Sequence, residues 1–182
     1  MDTHTVTYEK WTAAALYASL VTVGLMAGLF WAWDVSVMPG LAELDDRTFI
    51  ATMQVLIVAI ENGAFYLILL GAFGFPAIAA VLQHRGGQRR AARWIAAAFA
   101  LYVVALVVTM AVHFPLNDTL VDSGDPERIS DPGGARDDFE DPWRIANVAR
   151  TLPCIAALLC LGRALSLQGR VRSCAARAQR VE

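Results

Sequence analysis

The sequence predicts an all-α integral membrane protein, a four-helix bundle with an additional outer amphipathic capping helix between helices 1 and 2. Three observations carry that expectation. Hydrophobic residues make up 57% of the 182 and charged residues only 18%, with a mean hydropathy of +0.47, well to the apolar side of a soluble domain. The apolar residues are gathered into four runs of membrane length. The charges are sorted by sign along the chain, so that basic and acidic connections alternate between the runs.

The runs cover residues 13–33, 63–82, 94–112 and 148–167. Each is close to the roughly 20 residues that a helix needs to cross about 30 Å of hydrocarbon. Exposed backbone polar groups are not tolerated in lipid, so each run is expected to be a helix, and the four to form one domain. The first run is too long for a signal-peptide core and has no clean small-residue cleavage site, so it is expected to be retained. Within it, Gly24 and Gly28 form a GxxxG pair that serves close packing either inside the bundle or between two copies of a homo-oligomer.

The stretch from Phe49 to Leu82 cannot be one span, because at 1.5 Å per residue it would be about 51 Å long. Glu61, Asn62 and Gly63 mark the break. Residues 46–60 therefore become a separate outer helix, capped by Asp45 or Asp46 and too apolar to float free, which makes it a candidate lid. In helix 2, Pro76 after Gly71 and Gly74 is expected to introduce a bend. Residues 117–142, rich in Asp, Pro and Gly, are expected to form an acidic, partly mobile outer loop.

Charge sets the expected orientation. Ten of the fifteen basic residues lie at Lys10, at Arg85, Arg89, Arg90 and Arg93, and at Arg163, Arg170, Arg172, Arg177 and Arg180. The positive-inside rule places these in the cytoplasm together with both termini. Fourteen of the seventeen acidic residues lie between Asp34 and Glu61 or between His113 and Arg150, which places those connections outside. The basic segments abut membrane helices and lack interleaved aromatics, so anionic lipid rather than nucleic acid is their expected neighbour. Cys154 and Cys160 within helix 4 and Cys174 after it support no disulfide framework. Arginine outnumbers lysine fourteen to one, which points to a GC-rich bacterial genome and so to a bacterial inner membrane.

Helical spacing aims the polar residues of all four helices at one end. Tyr102, Leu106, Thr109 and His113 share a face of helix 3, and Asn147, Arg150, Thr151 and Cys154 share one of helix 4. Asn62, Tyr66 and Phe73 form a stripe on helix 2, while Asp34 continues the line of Ala27 and Phe30 on helix 1. Together they predict one polar pocket with an apolar, aromatic floor, and an ionisable group at membrane depth is a functional candidate by default.

Three segments also carry a family resemblance: VMPGLAELDDRTFIATMQ after helix 1, HFPLND from His113 to Asp118, and WRIANVART from Trp143 to Thr151. In order and spacing they resemble the DUF1772 family, which includes the anthrone oxygenases, over roughly Gly24 to Leu165. Asparagine is common in that family where this chain has His113. The resemblance implies a small membrane monooxygenase of aromatic polyketide biosynthesis that uses dioxygen as co-substrate and no organic cofactor. Oxidation of a methylene flanked by aromatic rings needs a base and a means of stabilising the resulting anion.

His113, with an ordinary pKa near 6.5, is the expected base, oriented or replaced by Asp34 or Glu61. Arg150 would stabilise an enolate or peroxide. Asn117, Asn62 and Asn147 would hydrogen-bond phenol or carbonyl oxygens, with Thr109 on the same wall. Trp31, Trp33, Tyr66 and Trp143 would offer flat apolar surface to an aromatic substrate entering from lipid. Each assignment has a plainer rival: tryptophans anchor helices at membrane interfaces, a guanidinium snorkels or locks the bundle, and carboxylates cap helices.

Three other readings compete. A metal held by His113 with Asp34 and Glu61 lacks the second histidine of a facial triad, because His4 and His84 fall at the other end. A cofactor-free cyclase or isomerase would use the same groups without oxygen. A small transporter or partner subunit would use the cluster as structural glue, although no internal repeat is evident. No CxxC pair, phosphate loop, GxSxG elbow or HExxH sequence is present, so hydrolase and nucleotide-dependent activities lose support.

Overall fold

The computed structural model describes residues 3–178, with side chains described over residues 7–169. Four helices are long and apolar enough to cross a membrane, and they form a membrane helical bundle. The first span joins α1 (Thr3–Ala32), a π-helical turn (Trp33–Val37) and α2 (Met38–Ala42) without a break. After α3 (Asp46–Ile60), the second span is α4 (Gly63–Arg85). The third joins α5 (Arg89–Val108), a second π-helical turn (Thr109–His113) and α6 (Phe114–Asp122), and α7 (Pro132–Ala178) supplies the fourth. Helices α1, α4, α5 and α7 pack as a four-cornered ring in that order, and α7 closes it against α1.

A seam of small and medium side chains repeating every seven residues explains that packing. Leu16, Val23 and Phe30 are buried on α1, Ala91, Ala98 and Ala105 on α5, and Ala157 and Ala164 on α7. A seven-residue repeat keeps one stripe facing its neighbours in a left-handed bundle, and alanine lets backbones approach where lipid supplies no hydrophobic drive. Tyr102 crosses the same core and donates its hydroxyl to the Leu69 carbonyl of α4 at 2.9 Å. Among the described residues, the tightest approach of a glycine to a neighbouring helix is not at the expected pair. A Cβ on Gly71 would lie 3.0 Å from the Thr22 side chain, whereas one on Gly24 would meet Leu158 at an ordinary 3.7 Å and one on Gly28 nothing within 4 Å. Helix pitch alone did not reveal which glycine faces a neighbour.

The outer helix forms where expected. Asp45 caps it, accepting from the Thr48 N–H at 3.1 Å and the Thr48 hydroxyl at 2.6 Å, which also holds this exposed carboxyl below its ordinary pKa. Asn62 begins α4 by accepting from the N–H groups of Ala64 and Phe65. Phe49, Ile50, Met53 and Ile57 recur at helical spacing and are buried in a second core, shared with Trp33, Leu120, Phe139 and Trp143. Each such side chain contributes about 1.5–3 kcal/mol relative to exposure in water, enough to hold α3 over the bundle.

The expected loop over residues 117–142 is a correction. Helix α6 runs on to Asp122, a short 3-10 turn covers Pro126–Arg128, and α7 begins at Pro132, where Asp131 accepts from the Gly134 N–H. The helices continue past the expected spans because Leu120, Phe139 and Trp143 bury against α3, which the acidic composition concealed. Proline at the first turns of α6 and α7 fits helix starts, where no intrahelical N–H is needed. Pro76 lies inside an uninterrupted α4.

Polar tethers fasten α3 to these extensions. Gln54 donates to the carbonyls of Leu120 and Gly124 at 2.8 and 2.9 Å, and Arg47 to those of Pro126 and Ile129. Arg136 on α7 pairs with Glu140 and Asp46, donates to the Leu44 carbonyl at 2.8 Å, and lies over the Phe49 ring.

Candidate functional site

Beneath α3, where the two π-helical turns meet α7, lies a cavity of about 40 Å³, or about 480 Å³ with the space that opens outward included. The enclosed part holds only a few waters and is well below the roughly 300–1,000 Å³ of small-molecule sites, so a larger occupant needs the cavity to widen. Met53, Ile57 and Ile60 of α3 form its roof, and Phe30, Trp33, Phe65 and Trp143 supply aromatic walls. Each π-helical turn adds a residue to the helical repeat and rotates the side chains beyond it, an irregularity common at functional sites.

His113 ends the second π-helical turn and is 1% exposed. Its ring stands edge-on to Trp143 with centroids 5.0 Å apart, and neither Nδ1 nor Nε2 meets a hydrogen-bond partner among the described residues.

Arg150 lines the same cavity and is 6% exposed. Its Nε donates to Asn147 Oδ1 at 2.9 Å and its Nη1 to Thr109 Oγ1 at 3.3 Å, while the guanidinium carbon sits 3.9 Å from the Phe30 ring centre. Among the described residues no carboxylate pairs with it directly. Its negative partner acts at one remove. Asp34 Oδ1 accepts from Asn147 Nδ2 at 2.6 Å and Oδ2 from the Thr151 hydroxyl at 2.7 Å, so Asn147 relays the carboxylate's hold on Arg150. The second amide hydrogen of Asn147 goes to the Phe30 carbonyl at 3.0 Å, which locks the relay to α1. A guanidinium buried this way is oriented but not neutralised, and it favours an anion arriving in the cavity.

Of the predicted residues, His113, Arg150, Glu61, Asn117, Trp143 and Thr109 line the cavity together with Trp33. Glu61, at the C-terminal cap of α3, is exposed and so belongs to the mouth rather than the interior. Asn117 Oδ1 accepts from the Trp143 indole N–H at 3.1 Å and fixes that ring against His113. Asp34 and Asn147 stand behind the wall, because their polar atoms are spent on each other, on Thr151 and on Arg150. Neither Asp34 nor Asn147 lines the cavity, against the expectation that they would act within it.

Three expected residues lie elsewhere. Asn62 is consumed as the cap of α4, while Tyr66 and Trp31 are 39% and 52% exposed on the outside of the bundle. The sequence reading missed Met53, Ile57 and Phe65. The spacing Ile50, Met53, Ile57 was the available signal for the roof, but nothing local showed what it covers. Among the described residues no three His, Cys, Asp or Glu side chains gather as a metal-ligand group, and the Asp34 carboxylate is turned away from His113.

No curated protein and no solved structure matches the chain. A sequence model described as anthrone oxygenase matches residues 53–160, a segment that runs from the roof of the cavity through His113 and Arg150 and spans more than half of the protein. With the membrane bundle and the walled polar cavity at one end of it, that match identifies the chain as a member of the anthrone oxygenase family.

Proposed function

We propose that the protein is a membrane-embedded, cofactor-independent monooxygenase of aromatic polyketide metabolism, acting on an anthrone-type methylene held between aromatic rings. His113 removes a methylene proton, and the enolate so formed places its negative oxygen near Arg150. Addition of dioxygen at the deprotonated carbon, with return of the proton to the distal oxygen, gives a hydroperoxide. Loss of the remaining C–H proton and of hydroxide, together one water, leaves the carbonyl of the quinone. One oxygen atom enters the product and the other leaves as water.

The observation that carries this reading is the pairing in one wall of an imidazole and a buried guanidinium, the first without a hydrogen-bond partner and the second without a direct carboxylate partner among the described residues. The first has a lone pair free for a proton, and the second is held where an oxyanion would form. Aromatic walls suit a flat substrate, whose entry requires α3 to move, since the enclosed space as it stands holds only waters. The acidic end is read as exoplasmic, with both termini in the cytoplasm.

The test is oxygen uptake and quinone formation by the purified full-length protein in nanodiscs, supplied with a hydroxylated anthrone, against protein-free discs and a His113→Ala variant. Stoichiometric uptake of one dioxygen per quinone, faster than the spontaneous reaction and lost in the variant, is expected. Product formed from the supplied compound without oxygen uptake would replace the proposal with an isomerase or cyclase. Rates equal to those of empty discs would leave a non-catalytic membrane component.

A further inference from the structure

At the opposite end of the bundle, the α4–α5 turn opens into a groove of about 540 Å³. His84 and Arg85 from the end of α4 and Arg89 and Arg93 from the start of α5 line it, with apolar Ala80 and Val81 below. We propose that this groove binds an anionic phospholipid, with the headgroup phosphate among Arg85, Arg89 and Arg93 and an acyl chain along Val81.

Charge complementarity carries the choice of occupant. None of these arginines forms an ion pair among the described residues, and Glu9, the one described carboxylate at that end, is not part of the groove. Three guanidiniums lining one groove without a counter-charge repel one another, and a phosphate matches their forked donors. The start of α5 adds to the imbalance. Its first turn carries arginine and no acidic residue, opposite to what the helix dipole favours, and Gln88 provides no side-chain cap.

Lipid rather than a free anion follows from what adjoins the charges. Val81 is 50% exposed and Trp94, next to Arg93 in sequence, is 43% exposed, so the charges adjoin exposed apolar and aromatic surface of the kind that sits at membrane interfaces. Basic pockets between membrane helices are general headgroup sites.

Full-length protein in detergent is examined by native mass spectrometry with phosphatidylglycerol, phosphatidylcholine or inorganic phosphate added. Retention of phosphatidylglycerol alone is expected. At about a fivefold loss per arginine, the Arg85→Gln/Arg89→Gln/Arg93→Gln variant should bind on the order of a hundredfold more weakly. The single Arg93→Gln variant should lose about fivefold and keeps the test open if the triple variant fails to fold. Arg90→Gln, at an exposed position outside the groove, should bind as the unaltered protein does. Equal retention of phosphatidylcholine, displacement of the lipid by millimolar phosphate, an unaffected Arg93→Gln, or an equal loss in Arg90→Gln would each overturn the assignment. None of these outcomes bears on oxygen chemistry at the other end.

Discussion

The two ends of the bundle treat charge in opposite ways. At the acidic end, half-buried Asp34 and buried Asn147, Thr151, Arg150 and Thr109 form one chain of hydrogen bonds, so that removing any link disturbs the next. At the basic end, Arg85, Arg89, Arg90 and Arg93 are exposed and make no ion pairs among the described residues. A buried charge must be met within the protein, whereas an exposed one can be met by solvent or lipid. Position inside the bundle, more than residue type, therefore separates an enclosed, self-bonded cluster from a surface that answers to its surroundings.

Substitutions should follow that division. The largest effect is expected at Arg150. Arg150→Gln should lower turnover by roughly 10²–10³-fold, the usual cost of losing one anion-stabilising donor, read as oxygen uptake by protein whose helical content is unchanged. Retention of full turnover would detach the guanidinium from the chemistry and make the acidic end no more reactive than the basic one.

Asp34→Ala should act first on stability, because it removes two short hydrogen bonds to a carboxylate and leaves Arg150 without its relayed counter-charge. A loss of about 3 kcal/mol is expected, measured by thermal or denaturant unfolding in micelles. A variant as stable as the parent would mean that the relay is ornamental.

Arg136→Met tests the lid. It abolishes the pairs to Glu140 and Asp46 and the bond to the Leu44 carbonyl, at a cost of about 1–2 kcal/mol, and should appear as faster hydrogen exchange confined to α3. Exchange that rises equally in α4 and α5 would show that α3 does not open separately.

Asp45 offers a smaller, pH-dependent effect. Its carboxyl is held below the ordinary value by the Thr48 hydroxyl and N–H. Its capping contribution is therefore complete above the unfolded-state pKa of 3.8 and is lost as pH falls through the lower folded value. Amide exchange in the first turn of α3 should accelerate in that acid range, and Asp45→Asn should flatten the dependence. Smallest of all, Arg90→Gln should change stability by no more than about 0.5 kcal/mol and leave oxygen uptake unaltered, since the residue is exposed and makes no ion pair among the described residues.

The sequence by itself determined the four spans, the break at Glu61–Gly63, the separation of charge between the ends, and the gathering of His113 and Arg150 toward the same end. Those features are written in local hydropathy and helical period, which persist whatever the neighbours are. Only the tertiary structure decided which side chains face the cavity. Asn62 was needed as a cap, Tyr66 and Trp31 face outward, and Asp34 stands behind Asn147 rather than beside His113. The π-helical turns at Trp33–Val37 and Thr109–His113 shift the facing of residues in a way a constant helical period cannot express. The helical extensions over residues 114–122 and 132–147 exist because α3 offers their scattered apolar residues a surface to bury against. Burial between distant segments is a property of the packed molecule, and no single segment carries it.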